Sequence, residues 1–452
     1  MSAFAAPTIF ALSSGAGRAG VAVVRISGPA ALKTVKALTG KEFSPRRAAL
    51  CRLVDPRDGT LLDVGLVLYF PAPVSFTGDE VVELHLHGSP AVVAAVAGAL
   101  AGQGLAPAEA GAFTRRAFEN GKLDLTEVEG LADLLAAETE AQRRQAVRQM
   151  TGELSGLYEG WRSDLVAALA HLEASIDFAD EELPSDILSP VWEKARALGR
   201  EIGAHLDDKG RGERLRAGLS LVLLGPPNAG KSSLLNRLAR RDAAIVSHEA
   251  GTTRDIVEVQ LDLGGVPASL ADTAGLRAAG GEIEAEGVRR ARARGAEADL
   301  RLVVLAPDAK DLSPLAELKE GDLVLLNKAD LLDTATLAEF ATEVAAAAPG
   351  ARALFVSALT GAGIDALEAA LAARAGELAG LTEAPALTRA RHRHALAEAR
   401  AHLDAALVQA AGPAELAAEE LRLAARALAR LVGRIDVEEL LDVIFADFCI
   451  GK

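Results

Sequence analysis

Gly225-Pro226-Pro227-Asn228-Ala229-Gly230-Lys231-Ser232 is the stretch that decides the fold, because it is a complete G-x-x-x-x-G-K-[ST] phosphate-binding loop. The apolar run just before it predicts a buried strand, and a helix is predicted over residues 233–239. Glycines let successive backbone N–H groups turn inward around phosphate oxygens, and the helix adds the positive end of its dipole. Lys231 supplies a positive charge and Ser232 a magnesium ligand. The stretch therefore predicts an α/β domain that binds a nucleotide together with Mg²⁺.

Three further motifs follow in the order expected of a guanine-nucleotide site. Asp272-Thr273-Ala274-Gly275 ends an apolar run; Asp272 can hold Mg²⁺ through water, and the Gly275 N–H can reach the γ-phosphate. Asn327-Lys328-Ala329-Asp330 follows a third run, and its aspartate can accept from N1–H and the exocyclic amine of guanine. Adenine lacks that pair of donors, so guanine is preferred. Ser357-Ala358-Leu359 follows a fourth run and completes the predicted base pocket.

The segment between the first two motifs predicts a loop that responds to GTP. In Gly251-Thr252-Thr253-Arg254-Asp255, a threonine hydroxyl could reach Mg²⁺ only while GTP holds the loop, and Thr253 is the candidate. Leu276 follows Gly275 where many GTPases carry a glutamine that orients the attacking water, and leucine cannot do so. Either another group orients the water, or hydrolysis is slow until a partner or a second protomer contributes. Three glutamates fit either that role or a solvated helix face: Glu282, Glu284 and Glu286.

The rest of the chain predicts further domains. Short apolar runs alternate with Gly/Pro-rich breaks between residues 21 and 86, which is typical of a strand-rich domain. Residues 123–210, and the chain from about residue 390 onward, carry apolar residues at helical spacing. We predict an α/β plus α fold, in which a Ras-like P-loop G domain is inserted into a helical domain and an α+β domain precedes both. The predicted domains span 1–120, 121–215, 216–378 and 379–452.

The composition limits the class of protein. A chain of 452 residues exceeds the size of one hydrophobic core, so two to four domains are expected. The net charge of -15 repels phosphate backbones, and nucleic-acid contact then needs a local basic patch or a partner's surface. Two cysteines, no secretory signal in residues 1–20 and no convincing apolar span indicate a cytoplasmic protein without a membrane segment.

Two features outside the nucleotide motifs leave alternatives open. Glu83, His85 and His87 alternate along a predicted strand and share one face, which fits a metal site or a polar surface that faces a ligand. Cys449 follows a predicted amphipathic helix and fits either a packed core cysteine or a reactive thiol.

Several motifs together resemble those of the MnmE family of tRNA modification GTPases, and the likeness covers essentially the whole chain. They include Asn228 in the phosphate loop, the Gly-Thr-Thr-Arg-Asp segment and the leucine after Asp-Thr-Ala-Gly. The remaining matches are Val24-Arg25-Ile26-Ser27-Gly28, Ser75-Phe76-Thr77-Gly78, Val82-Glu83-Leu84, Arg116-Ala117-Phe118, Asn120-Gly121-Lys122-Leu123-Asp124, Ile176-Asp177-Phe178 and Cys449-Ile450-Gly451-Lys452.

For the nucleotide site, the resemblance implies a potassium-stimulated GTPase whose G domains pair transiently across the nucleotide. Asn228, Ser247, Thr252 and the backbone carbonyl of Glu249 match the family's potassium ligands, and Glu284 matches the glutamate that organises the attacking water. Ser232 and Thr253 are the expected magnesium ligands. The expected GTP contacts are Asn228, Ala229, Gly230, Lys231, Ser232, Ser233, Ser247, Thr252, Thr253, Asp272, Thr273, Ala274, Gly275, Asn327, Lys328, Asp330, Ser357, Ala358 and Leu359.

For the rest of the chain, the resemblance implies an N-terminal domain that binds a tetrahydrofolate derivative, in its 5-formyl or 5,10-methylene form, and forms a homodimer. Arg25, Glu83, Lys122 and Lys452 match the folate contacts, and Cys449 is the implied catalytic thiol.

The resemblance also implies that the protein works on tRNA with a flavoprotein partner, MnmG, which would supply FAD and form a heterotetramer with it. The pair would then place a carboxymethylaminomethyl or aminomethyl group on carbon 5 of wobble uridine U34 in certain tRNAs.

A second hypothesis is a ribosome-assembly GTPase of the Era or Der kind. Such proteins carry a basic RNA-binding module. This chain is acidic, and its short arginine clusters at residues 289–294 and 389–393 are predicted to be solvated helix faces.

Overall fold

The computed structural model describes residues 7–177, 188–241, 244, 258–272, 297–308, 311–380, 385–435, 438–446 and 448–452. The chain forms two compact units. The first consists of Met1–Ala132, Gln149–Leu183 and Ala418–Lys452, and the second of Asp133–Arg148 and Pro184–Ala417. The predicted boundaries at residues 120, 215 and 378 stay a prediction.

The described residues form helices and strands that are numbered here in chain order. The strands are β1 (Ile9–Leu12), β2 (Ala19–Ser27), β3 (Ala49–Val54), β4 (Leu61–Phe70), β5 (Val81–Gly88), β6 (Ala106–Pro107), β7 (Leu219–Leu224), β8 (Glu258–Leu263), β9 (Val266–Asp272), β10 (Leu300–Leu305), β11 (Leu323–Leu326) and β12 (Arg352–Phe355). The helices are α1 (Ala31–Thr39), α2 (Pro90–Gly102), α3 (Ala112–Glu119), α4 (Leu125–Ala136), α5 (Glu140–Met150), α6 (Glu153–Asp177), α7 (Ser189–Leu206), α8 (Arg211–Ala217), α9 (Lys231–Leu238), α10 (Thr334–Ala347), α11 (Ile364–Ala379), α12 (Ala390–Val408), α13 (Ala414–Leu431) and α14 (Glu438–Ala446).

The first unit is built on a six-stranded sheet in the order β3-β4-β5-β2-β1-β6. Its pairs are antiparallel except for the short parallel pair of β1 and β6. Along β5, the residues Val82, Leu84 and Leu86 are buried in a core that includes residues of α1 and α2. Glu83 and His85 lie between them and are only half-buried, as alternation in a strand requires. The exposed His87 follows at the same alternation, so Glu83, His85 and His87 share one face of β5 as predicted.

The second unit is built on a six-stranded sheet in the order β12-β11-β10-β7-β9-β8. All neighbours are parallel except β8 and β9, which form an antiparallel hairpin. Two hydrophobic clusters line the sheet, and nearly every residue of β7, β10 and β11 is buried in one of them. This burial explains why these strands appear in the sequence as uninterrupted apolar runs.

Two predicted boundaries in this unit were slightly wrong. The helix after the phosphate loop begins at Lys231 rather than at residue 233, because Gly230 has a φ of 94° and directs the chain into the helix at once. Strand β12 ends at Phe355, one residue before the end of the apolar run at residues 353–356 that predicts it.

The two predicted helical stretches meet in the second unit, where α7 and α12 pack together. Part of the expectation for residues 389–393 was wrong, because two of these arginines bind carboxylates instead of facing solvent alone. Arg389 Nη2 lies 2.8 Å from Asp133, and Arg393 Nη2 donates to Asp208 at 2.6 Å and to Glu213 at 3.1 Å. The cluster at 289–294 lies outside the described residues. Within the described ranges, no helix is both long and apolar enough to span a bilayer.

Candidate functional site

The phosphate loop connects the end of β7 to α9 and turns tightly. Gly225 has a φ of 138°, and a side chain there would collide with the Val304 carbonyl oxygen of β10. Asn228 has a φ of 61°, in the left-handed region that asparagine tolerates better than most residues. The loop therefore needs its glycines for close packing, and its geometry presents backbone N–H groups at the start of α9.

Lys231 is held inside this loop and is only 5% exposed. Its Nζ donates to the carbonyl oxygens of Gly225 at 2.8 Å and Pro226 at 2.9 Å. Neutral carbonyls are weaker partners for an ammonium group than phosphate oxygens are. The charge is thus preorganised at the place where the motif predicts the phosphates.

A pair of oxygen-bearing side chains lies beside the loop. Ser232 Oγ donates to Asp272 Oδ2 at 2.5 Å, and Asp272 is almost fully buried at the end of β9. In the sheet, Asp272 is in register with Leu223 of β7, so the parallel pairing brings it to the loop. Hydroxyl and carboxylate oxygens are the ligands that Mg²⁺ prefers. Ser232 therefore fits a direct magnesium ligand, and Asp272 fits one acting through water.

The predicted base-binding segments are connected by the buried side chain of Asn327. Asn327 Nδ2 donates to the Ala229 carbonyl of the phosphate loop at 2.8 Å, and its Oδ1 accepts from the Ala358 N–H at 3.0 Å. One side chain thus joins the three loops that follow β7, β11 and β12. Asp330 is exposed next to Asn327 and is open to a base, whereas Ser357 is fully buried beneath the loop.

Arg237 was missed by the sequence reasoning and supports the same pocket. It lies in the last turn of α9, and its Nη2 donates to the Leu359 carbonyl at 3.3 Å. A side chain at Gly361 would collide with this guanidinium. The contact joins residues that are far apart in the chain and belongs to no motif, so no sequence signal identified it.

Several predicted site residues lie outside the described residues, so their predictions stay untested. They are Ser247, Glu249, Thr252, Thr253, Thr273, Ala274, Gly275, Leu276, Glu282, Glu284 and Glu286.

A second group of polar side chains lies on the open face of the sheet in the first unit. Arg25 Nε donates to Glu83 Oε1 at 3.1 Å, and both side chains are 18% exposed. The Arg25 guanidinium lies 5.7 Å from the ring centres of both Phe76 and Phe113. The guanidinium thus lies against two rings, of which Phe76 is 40% exposed and Phe113 is fully buried. Phe76 and Phe113 had not been predicted as site residues, although Phe76 stands inside the Ser-Phe-Thr-Gly motif.

The two histidines on β5 have different partners. His85 Nε2 lies 3.4 Å from Glu83 Oε2, while His87 Nδ1 lies 2.8 Å from Asp63 Oδ1. Burial alone would raise the pKa of Asp63, but hydrogen bonds from the backbone and side chain of His87 lower it. Because His87 pairs away from Glu83, the geometry favours the ligand-facing alternative over a metal site.

Two of the four predicted folate contacts come together directly, and a third lies close by. Arg25 and Glu83 form the ion pair, and the Lys452 carbonyl accepts from the N–H of Phe113 at 3.1 Å. Lys122 is exposed on the turn after α3, and no contact between described residues joins its side chain to this group. Cys449 is exposed, so the alternative of a packed core cysteine was wrong.

Comparison with known proteins gives close matches along the chain. Residues 125–449 match the family described as "MnmE helical domain", and residues 8–122 match "GTP-binding protein TrmE N-terminus". Two relatives are named tRNA modification GTPase MnmE. The protein of Parvibaculum lavamentivorans is 60% identical over 98% of this chain and 100% of its own length, and that of Paramagnetospirillum magneticum is 56% identical over 98% and 99%. The human mitochondrial 5-taurinomethyluridine-[tRNA] synthase subunit GTPB3 is 50% identical over 98% of this chain and 93% of its own.

Proposed function

This chain belongs to the MnmE family of tRNA modification GTPases, and we propose that, with the flavoprotein MnmG, it adds a carboxymethylaminomethyl or aminomethyl group to carbon 5 of wobble uridine U34 in certain tRNAs. The observation that carries this proposal is the near-full-length likeness to relatives named for tRNA modification. The name of the human relative, a 5-taurinomethyluridine synthase subunit, supports position 5 of a uridine as the target.

Mass spectrometry of tRNA nucleosides tests this proposal in cells with and without the gene. We expect the 5-substituted wobble uridines to disappear in the deletion strain and to return with the wild-type gene. A gene carrying Lys231→Ala should not restore them, because the variant lacks the charge of the phosphate loop. Unchanged nucleosides in the deletion strain would instead favour the Era/Der type of ribosome-assembly GTPase.

As a GTPase of this family, the protein uses its phosphate loop for GTP, and the residues of the nucleotide site have separate roles. Lys231 and the N–H groups at the start of α9 would bind the phosphates, and Asp330 would select guanine. Ser232, Asp272 through water, and Thr253 would hold Mg²⁺. Bound there, Mg²⁺ neutralises charge on the β- and γ-phosphate oxygens. Hydrolysis would drive a change from separate to paired G domains, relayed through the helices.

A potassium site is proposed beside the phosphates. Asn228 stands in the turn before α9, where a side-chain carbonyl oxygen can face the nucleotide. Ser247, Thr252 and the Glu249 carbonyl would complete the coordination, and Glu284 would organise the attacking water. Potassium bound there supplies positive charge where an arginine from a partner would otherwise act.

The GTPase rate in potassium compared with sodium tests this site. We expect about tenfold faster hydrolysis in K⁺ than in Na⁺ at equal ionic strength, because removing one charge-stabilising group typically costs that much or more. Asn228→Ala should lose most of the difference, while Asn236→Ala, an exposed asparagine of α9, should keep it. Equal wild-type rates in the two salts would remove the potassium assignment.

A folate site is proposed at the ion pair of Arg25 and Glu83. A pterin ring is flat and carries hydrogen-bond donors, which suit the partly buried Glu83 carboxylate, while its face can stack on the exposed ring of Phe76. Lys122 and Lys452 would bind the acidic glutamyl tail. The tetrahydrofolate, in its 5-formyl or 5,10-methylene form, would supply the one-carbon unit. Cys449 is exposed and therefore accessible for a catalytic role in the same reaction.

A homodimer through the N-terminal domain is supported by exposed apolar side chains on the same sheet. Leu50 of β3 and Leu66 of β4 are in register and are 63% and 41% exposed. Val64 and Val21 are also exposed, and alternation places Val64 on the face of Leu66. Exposed apolar side chains on one face of the neighbouring strands β3 and β4 are typical of an interface. We assign this apolar surface to a second copy of the chain.

In the cytoplasm, the dimer would bind MnmG, with its FAD, as a heterotetramer. It would contact tRNA largely together with that partner.

A further inference from the structure

An ion pair joins the predicted base-binding motif to a loop that carries no known nucleotide motif. Lys328 Nζ lies 2.6 Å from Asp308 Oδ2. Asp308 follows β10, whose parallel neighbour β11 leads directly into Asn327 and Lys328. The side chain of Lys328 therefore extends across the carboxyl edge of the sheet from one strand to the next.

The backbone of Lys328 is fixed more firmly than its side chain. Asn327 anchors the chain just before it through its hydrogen bonds to Ala229 and Ala358, of which the first is buried. Lys328 itself has a φ of 60°, an uncommon conformation for a residue other than glycine and one often found at functional sites. A lysine stem has four rotatable bonds, however, and its free rotation opposes any single position.

The contact with Asp308 restricts that stem at its far end. The hydrogen bond from Lys328 also lowers the pKa of Asp308, which favours the charged form of the carboxylate. The pair is open to solvent, with 26% of the Lys328 side chain and 54% of the Asp308 side chain exposed. Exposed pairs of this kind contribute little to folding, so its main consequence is the direction in which the lysine points.

We propose that Asp308 is a positioning residue for guanine-nucleotide binding, which holds Lys328 extended so that its apolar stem forms one wall of the base pocket. This inference rests on the proposed assignment of Lys328 to the GTP site. Preorganising one wall lowers the entropy lost when the base enters, so Asp308 favours binding without touching the nucleotide.

Binding of a fluorescent GDP to the full-length protein tests the proposal in a double-mutant cycle. Asp308→Ala should weaken GDP binding about three- to fivefold, the largest effect expected of an exposed ion pair. It should raise KM for GTP by a similar factor and leave kcat unchanged, because the base does not react. Lys328→Ala should weaken binding by about tenfold or more, and adding Asp308→Ala to it should change nothing further.

Two comparisons separate this role from a general loss of charge or of folding. Asp311→Ala removes the same charge from the same loop, but Asp311 accepts a hydrogen bond from the N–H of Ser313 rather than from Lys328. The Asp311→Ala variant should therefore bind GDP with wild-type affinity. Asp308→Ala should weaken the binding of GDP and of inosine diphosphate (IDP) by the same factor. The reason is that a lysine stem packed against the ring does not contact the exocyclic amine, the group in which the two nucleotides differ. An effect of Asp308→Ala that persists in the Lys328→Ala background, or wild-type affinity in Asp308→Ala, would overturn the inference. Unchanged binding in Lys328→Ala would instead overturn the assignment of Lys328.

Discussion

Replacing Asn327 by alanine is expected to weaken GDP binding about 100-fold, because the substitution removes one buried and one partly buried hydrogen bond of about 1 kcal/mol each and leaves their partners unsatisfied. The amide of Asn327 joins the Ala229 carbonyl of the phosphate loop to the Ala358 N–H of the base-binding loop. Without it, the phosphate and base pockets lose their fixed separation. Both halves of the nucleotide would then be held less precisely, which changes the dissociation rate of GDP more than its association rate.

Stopped-flow dissociation of fluorescent GDP measures this effect, and thermal unfolding monitors the fold. Asn236→Ala is the matched control, since it removes an exposed asparagine from the adjoining helix α9. We expect the control to bind GDP like wild type. If Asn327→Ala retained GDP affinity within about threefold of wild type, the two hydrogen bonds would not couple the loops.

The sequence predicted the central sheet of the second unit well, for a physical reason. Strands covered on both sides must be apolar throughout, so β7, β10 and β11 appear as uninterrupted runs with motif residues directly after them. Parallel pairing then brings those residues to one edge of the sheet. The contact between Ser232 and Asp272 follows from this topology and could be anticipated from the order of the motifs.

Contacts made by isolated surface side chains could not be predicted in the same way. Arg237 binds the Leu359 carbonyl, and Asp308 binds Lys328, although neither Arg237 nor Asp308 belongs to a motif. Their partners are set by tertiary distance, which a single sequence does not reveal. The arginines at 389 and 393 show the same limit, because a charged residue at helical spacing fits a solvated face or a carboxylate partner equally well.

In the first unit, alternation identified the face that carries Glu83, His85 and His87, and the family resemblance pointed to Arg25, but neither showed what surrounds these residues. Phe113 comes from α3, far along the chain, and reaches Arg25 only through packing. The pairing of His87 with Asp63 also depends on how β4 approaches β5 at the end of the strand. The choice between a metal site and a ligand-facing surface therefore required the structure.

Arg25→Ala is expected to weaken binding of 5-formyltetrahydrofolate about 50-fold, because charge-assisted hydrogen bonds contribute about 1.5–3 kcal/mol each. The substitution also removes the cation between the rings of Phe76 and Phe113 and leaves the partly buried Glu83 carboxylate without this partner. Isothermal titration calorimetry measures the affinity. GTPase activity should stay unchanged, because the phosphate loop is intact.

Two further variants separate a folate-binding role from a purely structural one. Arg57→Ala is the matched control, because it removes an exposed arginine of the same unit that pairs with Asp55. Folate binding by this variant should stay at the wild-type level. In Arg25→Ala/Glu83→Ala, the loss should be smaller than the sum of the single losses, since each single variant also leaves a charge without its partner. Wild-type folate affinity in Arg25→Ala would show that the ion pair stabilises the sheet without forming the ligand site, and strictly additive losses would show that the two side chains act on folate binding independently rather than as a pair. A coupled loss with an unchanged thermal midpoint would instead place the pterin against the ion pair of Arg25 and Glu83.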